Sequence, residues 1–247
     1  MAEGTENSIP NVVSIAGVDP SGGAGVLADI KAMSACGAYA CGVIAALTAQ
    51  NTQTVTAVMP VPATFLKEQL DTLFDDVRID AVKIGMLGTA EQIETVADAL
   101  LRRKPRHVVL DPVMVAKGGS RLLAADAVDA LKERLLPLAT IITPNLPEAM
   151  CLLDRTEDVT EEDFPVVARE LWKLLGRRDA WVYLKGGHLE GETADDLLFN
   201  SVVSIPFTAE RVATKNPHGT GCTLSSAIAA YLPQSADVPE ACRRAKE

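Results

Sequence analysis

The sequence has few aromatic residues and little positive charge. Aromatic side chains make up 4% of the 247 residues, although 48% of the chain is hydrophobic. The core must therefore be built mainly from Val, Ile, Leu and Ala, a composition typical of a large core with buried strands. The formal net charge of −10 gives no electrostatic basis for binding nucleic acid or an anionic membrane. Any phosphate that the protein binds must be held by a local site.

Paired cysteines and membrane-spanning runs are also lacking. The cysteines are scattered and form no CxxC pair; they are Cys36, Cys41, Cys151, Cys222 and Cys242. This spacing argues against a zinc site or a disulfide framework and favours reduced thiols. No apolar run reaches the length that spans a membrane. Residues 1–10 are polar and acidic, unlike a signal peptide, so we expect this segment to be flexible and the protein to be cytoplasmic.

The chain shows no internal repeat, low-complexity tract or Pro/Ser-rich linker, which favours a single domain over residues 1–247. Short apolar runs predict strands at 12–16, 43–47, 81–84, 108–110, 141–142 and 181–184. Amphipathic patterns predict helices at 24–36, 66–77, 89–101, 124–136, 145–153 and 160–175, and another that starts near 222. Residues 201–212 are expected to add further strands. This alternation predicts an α/β fold with a mostly parallel sheet covered by helices on both faces.

Polar or glycine-rich segments follow several of the predicted strands. They are residues 17–25, 85–86, 111–112, 143–148 and 185–187. Because the carboxyl ends of parallel strands lie along one edge of a sheet, these segments are expected to form one ligand-binding cleft. Familiar nucleotide fingerprints do not fit. No G-x-x-x-x-G-K-[ST] sequence is present, and the dinucleotide pattern that begins at Gly219 has Leu224 at its sixth position. The three histidines make no metal-binding pattern.

Residues 218–225 place glycines immediately before an Ala-rich helix. The backbone N–H groups at such a helix start bind anions, and glycine lets a phosphate approach closely. Cys222 lies in the first turn, where the helix dipole favours a thiolate. A thiolate there can accept a proton from a substrate hydroxyl that attacks phosphorus. The alternative interpretation is a small buried cysteine in an ordinary capped helix.

Four other polar residues also have both a catalytic and a structural interpretation. Asn145 and Glu148 lie on one face of a helix start, where they can hold Mg²⁺ directly or through its waters, or merely cap the helix. Lys185 can contact a transferred phosphate or can be a solvated lysine at the end of a strand. Asp111 can assist the metal or the hydroxyl, or can cap a turn.

Segments at 16–25, 49–52, 83–87, 111–114, 143–149, 185–188 and 218–225 form a specific joint pattern. In this order, over a span from Val12 to the end of the chain, they resemble the hydroxymethylpyrimidine/phosphomethylpyrimidine kinases of thiamine biosynthesis. That family belongs to the ribokinase-like superfamily. The resemblance implies a three-layer α/β/α fold, a homodimer, and two successive phosphorylations that use ATP and Mg²⁺. The first acts on 4-amino-5-hydroxymethyl-2-methylpyrimidine and the second converts the monophosphate to the diphosphate.

The resemblance also implies roles for individual residues. Gln50 would bind the edge of the aminopyrimidine, because an amide offers a donor and an acceptor together. Met86 would pack on the ring, in a pocket that Gly17, Ala24 and the backbone of Val113 line. Gly219 to Cys222, which includes Thr220 and Gly221, would be the anion hole, and the nucleotide with its Mg²⁺ would be held by Thr220, Asn145, Glu148 and Lys185. Cys222 occupies the position at which many ribokinase relatives carry an aspartate base.

Two alternatives remain within this interpretation. A pyridoxal- or pyridoxine-type kinase has the same fold, and some relatives with a cysteine at this position act on B6 vitamers. A regulatory protein could instead bind the pyrimidine without turnover. Gln50 together with Met86 favours the pyrimidine substrate. The sequence stops at Glu247 within an amphipathic pattern, whereas the family usually continues, so the C-terminal end is expected to be shortened.

Overall fold

The computed structural model describes residues 9–114, 123, 125–157, 159–187, 193–211 and 218–247. Residues 1–8 of the segment expected to be flexible and the motif residue His188 lie outside these ranges. The described strands are β1 (Asn11–Val18), β2 (Tyr39–Gln50), β3 (Val55–Pro60), β4 (Ala81–Ile84), β5 (His107–Leu110), β6 (Ile141–Ile142), β7 (Trp181–Leu184), β8 (Asp196–Phe199) and β9 (Ser204–Phe207).

The described α-helices are α1 (Gly25–Ala35), α2 (Ala63–Asp76), α3 (Ala90–Arg103), α4 (Ala125–Ala130), α5 (Leu146–Leu152), α6 (Phe164–Leu174), α7 (Thr220–Tyr231) and α8 (Val238–Lys246). Helix α4 continues as a π-helical turn, Leu131–Leu135, and then as a 3-10 turn, Leu136–Leu138. Each predicted helix therefore has a counterpart in the described chain. None of the helices described here is both long enough and apolar enough to cross a membrane.

The described strands form one sheet in the order β3-β2-β1-β4-β5-β6-β7-β8-β9. The six strands from β2 to β7 in this order are parallel, which confirms the predicted mostly parallel sheet. Strands β3, β8 and β9 are antiparallel additions at the two edges. The sequence pattern missed β3 and β8. Strand β3 is exposed along almost its whole length, so it lacks the buried apolar run that identifies a central strand.

Alternating residues of the central strands face two separate cores. Val13, Val82 and Val108 pack with residues of α2, α3 and α6 on one face of the sheet. Their neighbours Val12 and Ala81, together with Val109 and Tyr183, pack with α1, α7 and α8 on the other face. Because both faces are covered, the strands read as continuous apolar runs, and the fold has three layers, α/β/α.

Helix α3 is capped by Thr89, the first residue of the helix predicted at 89–101. Thr89 accepts a hydrogen bond from the backbone N–H of Gln92 at 3.3 Å. The Gln92 side chain does not return to the cap. Its amide donates instead to the carbonyl oxygens of Ala45, at 2.8 Å, and Val61, at 2.7 Å. Gln92 is fully buried, so these bonds satisfy its amide and tie α3 to the chain around β2.

Candidate active site

All the site residues predicted from the sequence line one cavity of about 730 Å³ at the carboxyl edge of the parallel strands. They are Gly17, Ala24, Gln50, Met86, Asp111, Val113, Asn145, Glu148, Lys185, Gly219, Thr220, Gly221 and Cys222. The predicted convergence of the loops on one edge is therefore confirmed. The volume suits a small organic molecule together with a phosphate chain.

The loop between β1 and α1 is organised around Asp19. One oxygen of this buried carboxylate accepts the Ser21 N–H at 2.8 Å, and the other accepts the Ser21 hydroxyl at 2.8 Å and the Ala24 N–H at 3.0 Å. Burial acts to raise the pKa of Asp19, but these bonds and one from His218 lower it overall. Gly25 closes the loop with a φ of 58°, and a Cβ at this position would overlap the Gly17 carbonyl oxygen.

A second glycine loop packs directly on the first. Gly219 has a φ of 80°, and a Cβ there would overlap the carbonyl oxygen of Gly23. Next to it, His218 Nε2 lies 2.7 Å from Asp19 Oδ2. Glycine is therefore required at 219 both for its backbone conformation and for the close approach of the two loops.

The start of α7 faces the cavity. Gly219 is the N-cap and no side-chain hydrogen bond caps the helix. The turn from Gly219 to Cys222 therefore presents backbone N–H groups and the positive end of the helix dipole to the cavity. Lys185 adds a positive charge close to this turn. Its Nζ lies 3.0 Å from the position that a Cβ on Gly221 would occupy. Together these groups make an anion-binding surface.

Asp111 holds Lys185 in place. Its Oδ1 accepts bonds from Lys185 Nζ and Thr143 Oγ1, each at 3.0 Å, and its Oδ2 accepts one from Ser225 Oγ at 3.2 Å. Burial alone would lower the pKa of Lys185, but the charges of Asp111 and Glu148 raise it. The ammonium thus stays charged, and Asp111 joins β5, β7 and α7 rather than merely capping a turn.

Asn145 and Glu148 form a reciprocal capping box at the start of α5. The Glu148 N–H donates to Asn145 Oδ1, and Glu148 Oε2 accepts the Asn145 N–H, each at 2.8 Å. Burial raises the pKa of Glu148 to about 7, although Lys185, 3.9 Å away, lowers it. The pair therefore caps α5, and its carboxylate keeps further acceptor sites for a metal ion or its waters.

The residues fit Mg²⁺ only in a mostly hydrated form. Among the described residues, no group of three or more His, Cys, Asp or Glu side chains is arranged to hold a metal ion. Mg²⁺ commonly keeps several waters and binds one or two carboxylates together with substrate phosphates. Glu148 is a buried carboxylate beside an anion-binding surface, so it matches that requirement through one oxygen or through water.

Cys222 lies in the cavity wall together with Gly25, whose backbone N–H lowers the pKa of the thiol. Contrary to the expected thiolate, burial raises the pKa of this thiol, and the charges of Asp111 and Asp29 raise it further. The charge of Lys83 and the Gly25 N–H oppose this rise without cancelling it. The resting group is therefore a thiol at neutral pH.

Lys83 and Asp29 form a fully buried ion pair that the sequence analysis missed. Lys83 Nζ lies 2.8 and 3.0 Å from the two oxygens of Asp29, and both side chains are 0% exposed. Ser14 and Ser226 each donate a hydroxyl bond to Asp29. A lysine inside a four-residue apolar strand was the available signal, because a buried lysine needs a partner.

The same cavity is lined by the predicted substrate residues Gln50 and Met86. The Thr48 hydroxyl lies 3.1 Å from Gln50 Oε1 and 2.8 Å from the carbonyl oxygen of Val18. The contact with Thr48 restricts the orientation of the Gln50 amide. Met86 packs against Gly17, whose lack of a side chain leaves room for the Met86 sulfur.

Comparison with known proteins identifies the family. A phosphomethylpyrimidine kinase family model matches residues 19–247. The chain belongs to the phosphomethylpyrimidine kinase family. A hydroxymethylpyrimidine/phosphomethylpyrimidine kinase of Escherichia coli (strain K12) is 49% identical over 236 residues, which cover 96% of this chain and 88% of that protein. This phosphomethylpyrimidine kinase family member is therefore a kinase, as predicted.

Solved structures confirm the ribokinase-like fold of this phosphomethylpyrimidine kinase family member. A phosphomethylpyrimidine kinase from Clostridium difficile 630 matches with a TM-score of 0.83 and 39% identity, covering 96% of both chains. A Staphylococcus aureus pyridoxal kinase, solved with AMP-PCP and pyridoxal, matches with a TM-score of 0.87 and 30% identity. That match covers 97% of this chain and 86% of the pyridoxal kinase.

Proposed function

We propose that this kinase transfers the γ-phosphoryl group of ATP to 4-amino-5-hydroxymethyl-2-methylpyrimidine and then to its monophosphate, forming the diphosphate used in thiamine biosynthesis. The observation that carries the proposal is one cavity lined both by Gln50 and Met86 and by Lys185 and the Gly219–Cys222 turn. The relatives named for both phosphorylations support it, since they are up to 49% identical over 96% of the chain.

The substrate end of the cavity supplies shape and polarity. Gln50 offers a donor and an acceptor to the aminopyrimidine edge, and Thr48 fixes its orientation. Met86 packs on the ring, while Gly17, Ala24 and the backbone of Val113 form the remaining wall. These residues orient the hydroxymethyl group towards Cys222.

The phosphate end supplies charge and proton transfer. Lys185 and the backbone N–H groups of Gly219, Thr220 and Gly221 stabilise the negative charge on the transferred group. The Cys222 thiolate accepts the hydroxyl proton while the substrate oxygen bonds to the γ-phosphorus. The bond from that phosphorus to the β,γ-bridging oxygen breaks, and its electron pair leaves with ADP. In the second phosphorylation the acceptor is a phosphate oxygen, which needs less assistance from a base.

Glu148 and Asn145 are the residues proposed to serve a magnesium ion. When bound, Mg²⁺ would neutralise negative charge on the phosphates. Glu148 would hold it through one carboxylate oxygen or through water, and Asn145 would fix Glu148 through the capping box. Lys185 lies between this carboxylate and the phosphate-binding turn. Its ammonium is therefore placed to contact the phosphoryl group throughout the transfer.

A product assay tests the function. The protein is incubated with ATP, Mg²⁺ and, separately, the pyrimidine alcohol, its monophosphate, or pyridoxine, and the phosphorylated products are measured. We expect products from both pyrimidines. Product from pyridoxine alone would favour the B6-vitamer kinase, which the pyridoxal kinase structures suggest at lower identity. Pyrimidine binding without any product would indicate the non-catalytic sensor.

We further infer that residues 1–247 act as one kinase domain, which works as a homodimer in the cytoplasm. Exposed apolar side chains on β2 and β3 support self-association; they are Tyr39, Leu47, Val58 and Met59. The cysteines, all unpaired, suit a reducing compartment. Light scattering on the purified protein tests the oligomeric state, and a monomeric mass would reject the dimer.

A further inference from the structure

The buried ion pair of Lys83 and Asp29 lies directly behind the phosphate-binding turn. Lys83 comes from β4 and lines the cavity, whereas Asp29 comes from α1 and is 0% exposed. The Ser226 hydroxyl on α7 donates to Asp29 at 2.8 Å, so the pair contacts the same helix that carries Cys222. A buried charge pair costs desolvation energy and is weak evidence for stability. Its position therefore suggests a purpose at the active site.

Four charged groups act electrostatically on Cys222, and three of them, Lys83, Lys185 and Asp111, line the same cavity as its side chain. Two are cationic, Lys83 on β4 and Lys185 after β7, and two are anionic, Asp29 on α1 and Asp111 after β5. Lys185 is bonded to Asp111 and is proposed above to contact the transferred phosphate. Lys83 lines the same cavity as Cys222, and its ammonium is paired with Asp29 rather than with Asp111.

The anchoring of Lys83 keeps its ammonium charged and fixed. Burial favours neutral lysine, but the charges of Asp29 and Asp111 hold the pKa of Lys83 above its usual value. Both oxygens of Asp29 accept from Lys83, and two serine hydroxyls hold the carboxylate. Gly85 also leaves space for the ammonium, because a Cβ there would lie 2.8 Å from Lys83 Nζ.

We propose that Lys83 is a positioning residue whose buried ammonium, held by Asp29, compensates the negative charge of the Cys222 thiolate. The inference deepens the proposed function and rests on it for its catalytic meaning. Without this compensation, a thiolate beside Asp111 and a bound phosphate chain would be strongly disfavoured. Lys83 does not touch the reacting atoms; it acts through the sulfur.

Alkylation of Cys222 by iodoacetamide measures the thiolate directly and needs no substrate. At pH 8 the alkylation rate is proportional to the thiolate fraction, so each unit of pKa changes the rate about tenfold. Lys83→Met should slow alkylation of Cys222 by about tenfold or more. The double variant Asp29→Asn/Lys83→Met removes both charges without leaving a buried carboxylate unpaired. It should slow the reaction less than the single variant, by about threefold, and it provides the test if Lys83→Met does not fold.

Two controls distinguish an effect of the lost Lys83 charge on the alkylation rate from an effect of altered packing. Ser226→Ala removes a hydrogen bond to Asp29 but keeps both charges, so the alkylation rate should stay within about twofold of wild type. Cys151 lines the same cavity, and its alkylation, followed on its own peptide by mass spectrometry, reports access to the cavity. An unchanged or faster Cys222 rate in the folded double variant would overturn the proposal. A slowing that Ser226→Ala reproduces would also overturn it.

The failure of this inference is distinguishable from failure of the proposed function. If Cys222→Ala retains full turnover, the base role fails, while the alkylation rates still decide whether Lys83 stabilises the thiolate. If Cys222→Ala loses turnover and Lys83→Met leaves alkylation unchanged, the base role stands and the role of Lys83 is rejected.

Discussion

His218 Nε2 lies 2.7 Å from Asp19 Oδ2, and this contact joins two loops that are 199 residues apart in the chain. Asp19 also holds the N–H groups of Ser21 and Ala24. One carboxylate therefore shapes the loop after β1 and fixes the glycine turn that begins α7. The substrate wall and the phosphate-binding turn are positioned by a single buried group.

Removing the histidine should loosen both loops. For His218→Ala we expect about a tenfold loss of kcat/KM, because a hydrogen bond to a charged group contributes about 1.5–3 kcal/mol. His218→Gln keeps an N–H donor and should recover part of the loss. Steady-state kinetics with the pyrimidine alcohol, alongside a melting curve, makes the comparison. Equal activity in wild type and His218→Ala would show that the contact does not organise the site.

The close approach of Gly219 to Gly23 makes a separate prediction. Gly219→Ala should destabilise the protein by more than about 2 kcal/mol, because the methyl group would collide with the Gly23 carbonyl oxygen as well as strain a positive φ. Gly176→Ala is the matched control, since Gly176 also has a positive φ, of 64°, but nothing lies within 4 Å of its Cβ position. Urea unfolding of the two variants isolates the collision. Equal losses of stability in the two variants would mean that the positive φ alone, and not the collision, causes the destabilisation.

The sequence predicted much of the fold because its central strands are buried on both faces. Strand β4, from Ala81 to Ile84, appears as an uninterrupted apolar run apart from Lys83, and its position was predicted to the residue. Strand β3 was missed because it is an exposed edge strand, which carries no such pattern. Burial alone was not sufficient, because β8 was also missed although Asp196–Phe199 is buried throughout.

The sequence predicted which loops form the site. It did not predict the ion pairs and hydrogen bonds that connect them. Chain topology brings the strand ends to one edge, and this was sufficient to place the predicted residues around one cavity. Lys83 and Asp29 are 54 residues apart, and no local pattern states that these two side chains meet. The raised pKa of Cys222 likewise depends on burial and on distant charges, which the helix-dipole argument omitted.

Gln50 should govern substrate affinity. Gln50→Leu removes both the donor and the acceptor proposed for the pyrimidine edge, so binding should weaken by about 1–3 kcal/mol. Gln53→Leu makes the same chemical change at an exposed position that does not line the cavity, and it should leave affinity unchanged. Isothermal titration of the pyrimidine alcohol into each variant measures the difference. Full affinity in Gln50→Leu would mean that the substrate end of the cavity is assigned wrongly.

Glu148 should make the metal-free protein less stable as pH rises. Burial raises its pKa to about 7 from a usual value of 4.5, so the folded state holds a proton that the unfolded state has lost. Stability therefore falls between about pH 4.5 and 7 and stays reduced above that range. Glu148→Gln keeps the capping geometry and should be more stable than wild type by about 1–3 kcal/mol at pH 8.

The stabilities of wild type and Glu148→Gln should differ little at pH 4.5, where wild-type Glu148 is protonated in the folded state. Urea unfolding in the presence of a chelator, at both pH values, provides the measurement. A stability difference that does not change with pH would contradict the buried, raised-pKa carboxyl. The same variant should need more Mg²⁺ for half-maximal activity, if Glu148 holds the ion.

Cys222 should give the reaction an alkaline pH dependence. Because the pKa of the thiol is raised above its usual value of 9.0, only a small fraction is thiolate at neutral pH. The thiolate fraction increases with pH, so kcat/KM for the first phosphorylation should rise about tenfold per pH unit and reach no plateau below pH 9.

Cys222→Ala should lose about 10²-fold or more in turnover while it still binds the pyrimidine. Cys222→Asp supplies a base that ionises at much lower pH, so its profile should be flat where that of wild type rises. A wild-type plateau near pH 7, or wild-type turnover in Cys222→Ala, would exclude the thiolate as the base and leave proton removal to solvent.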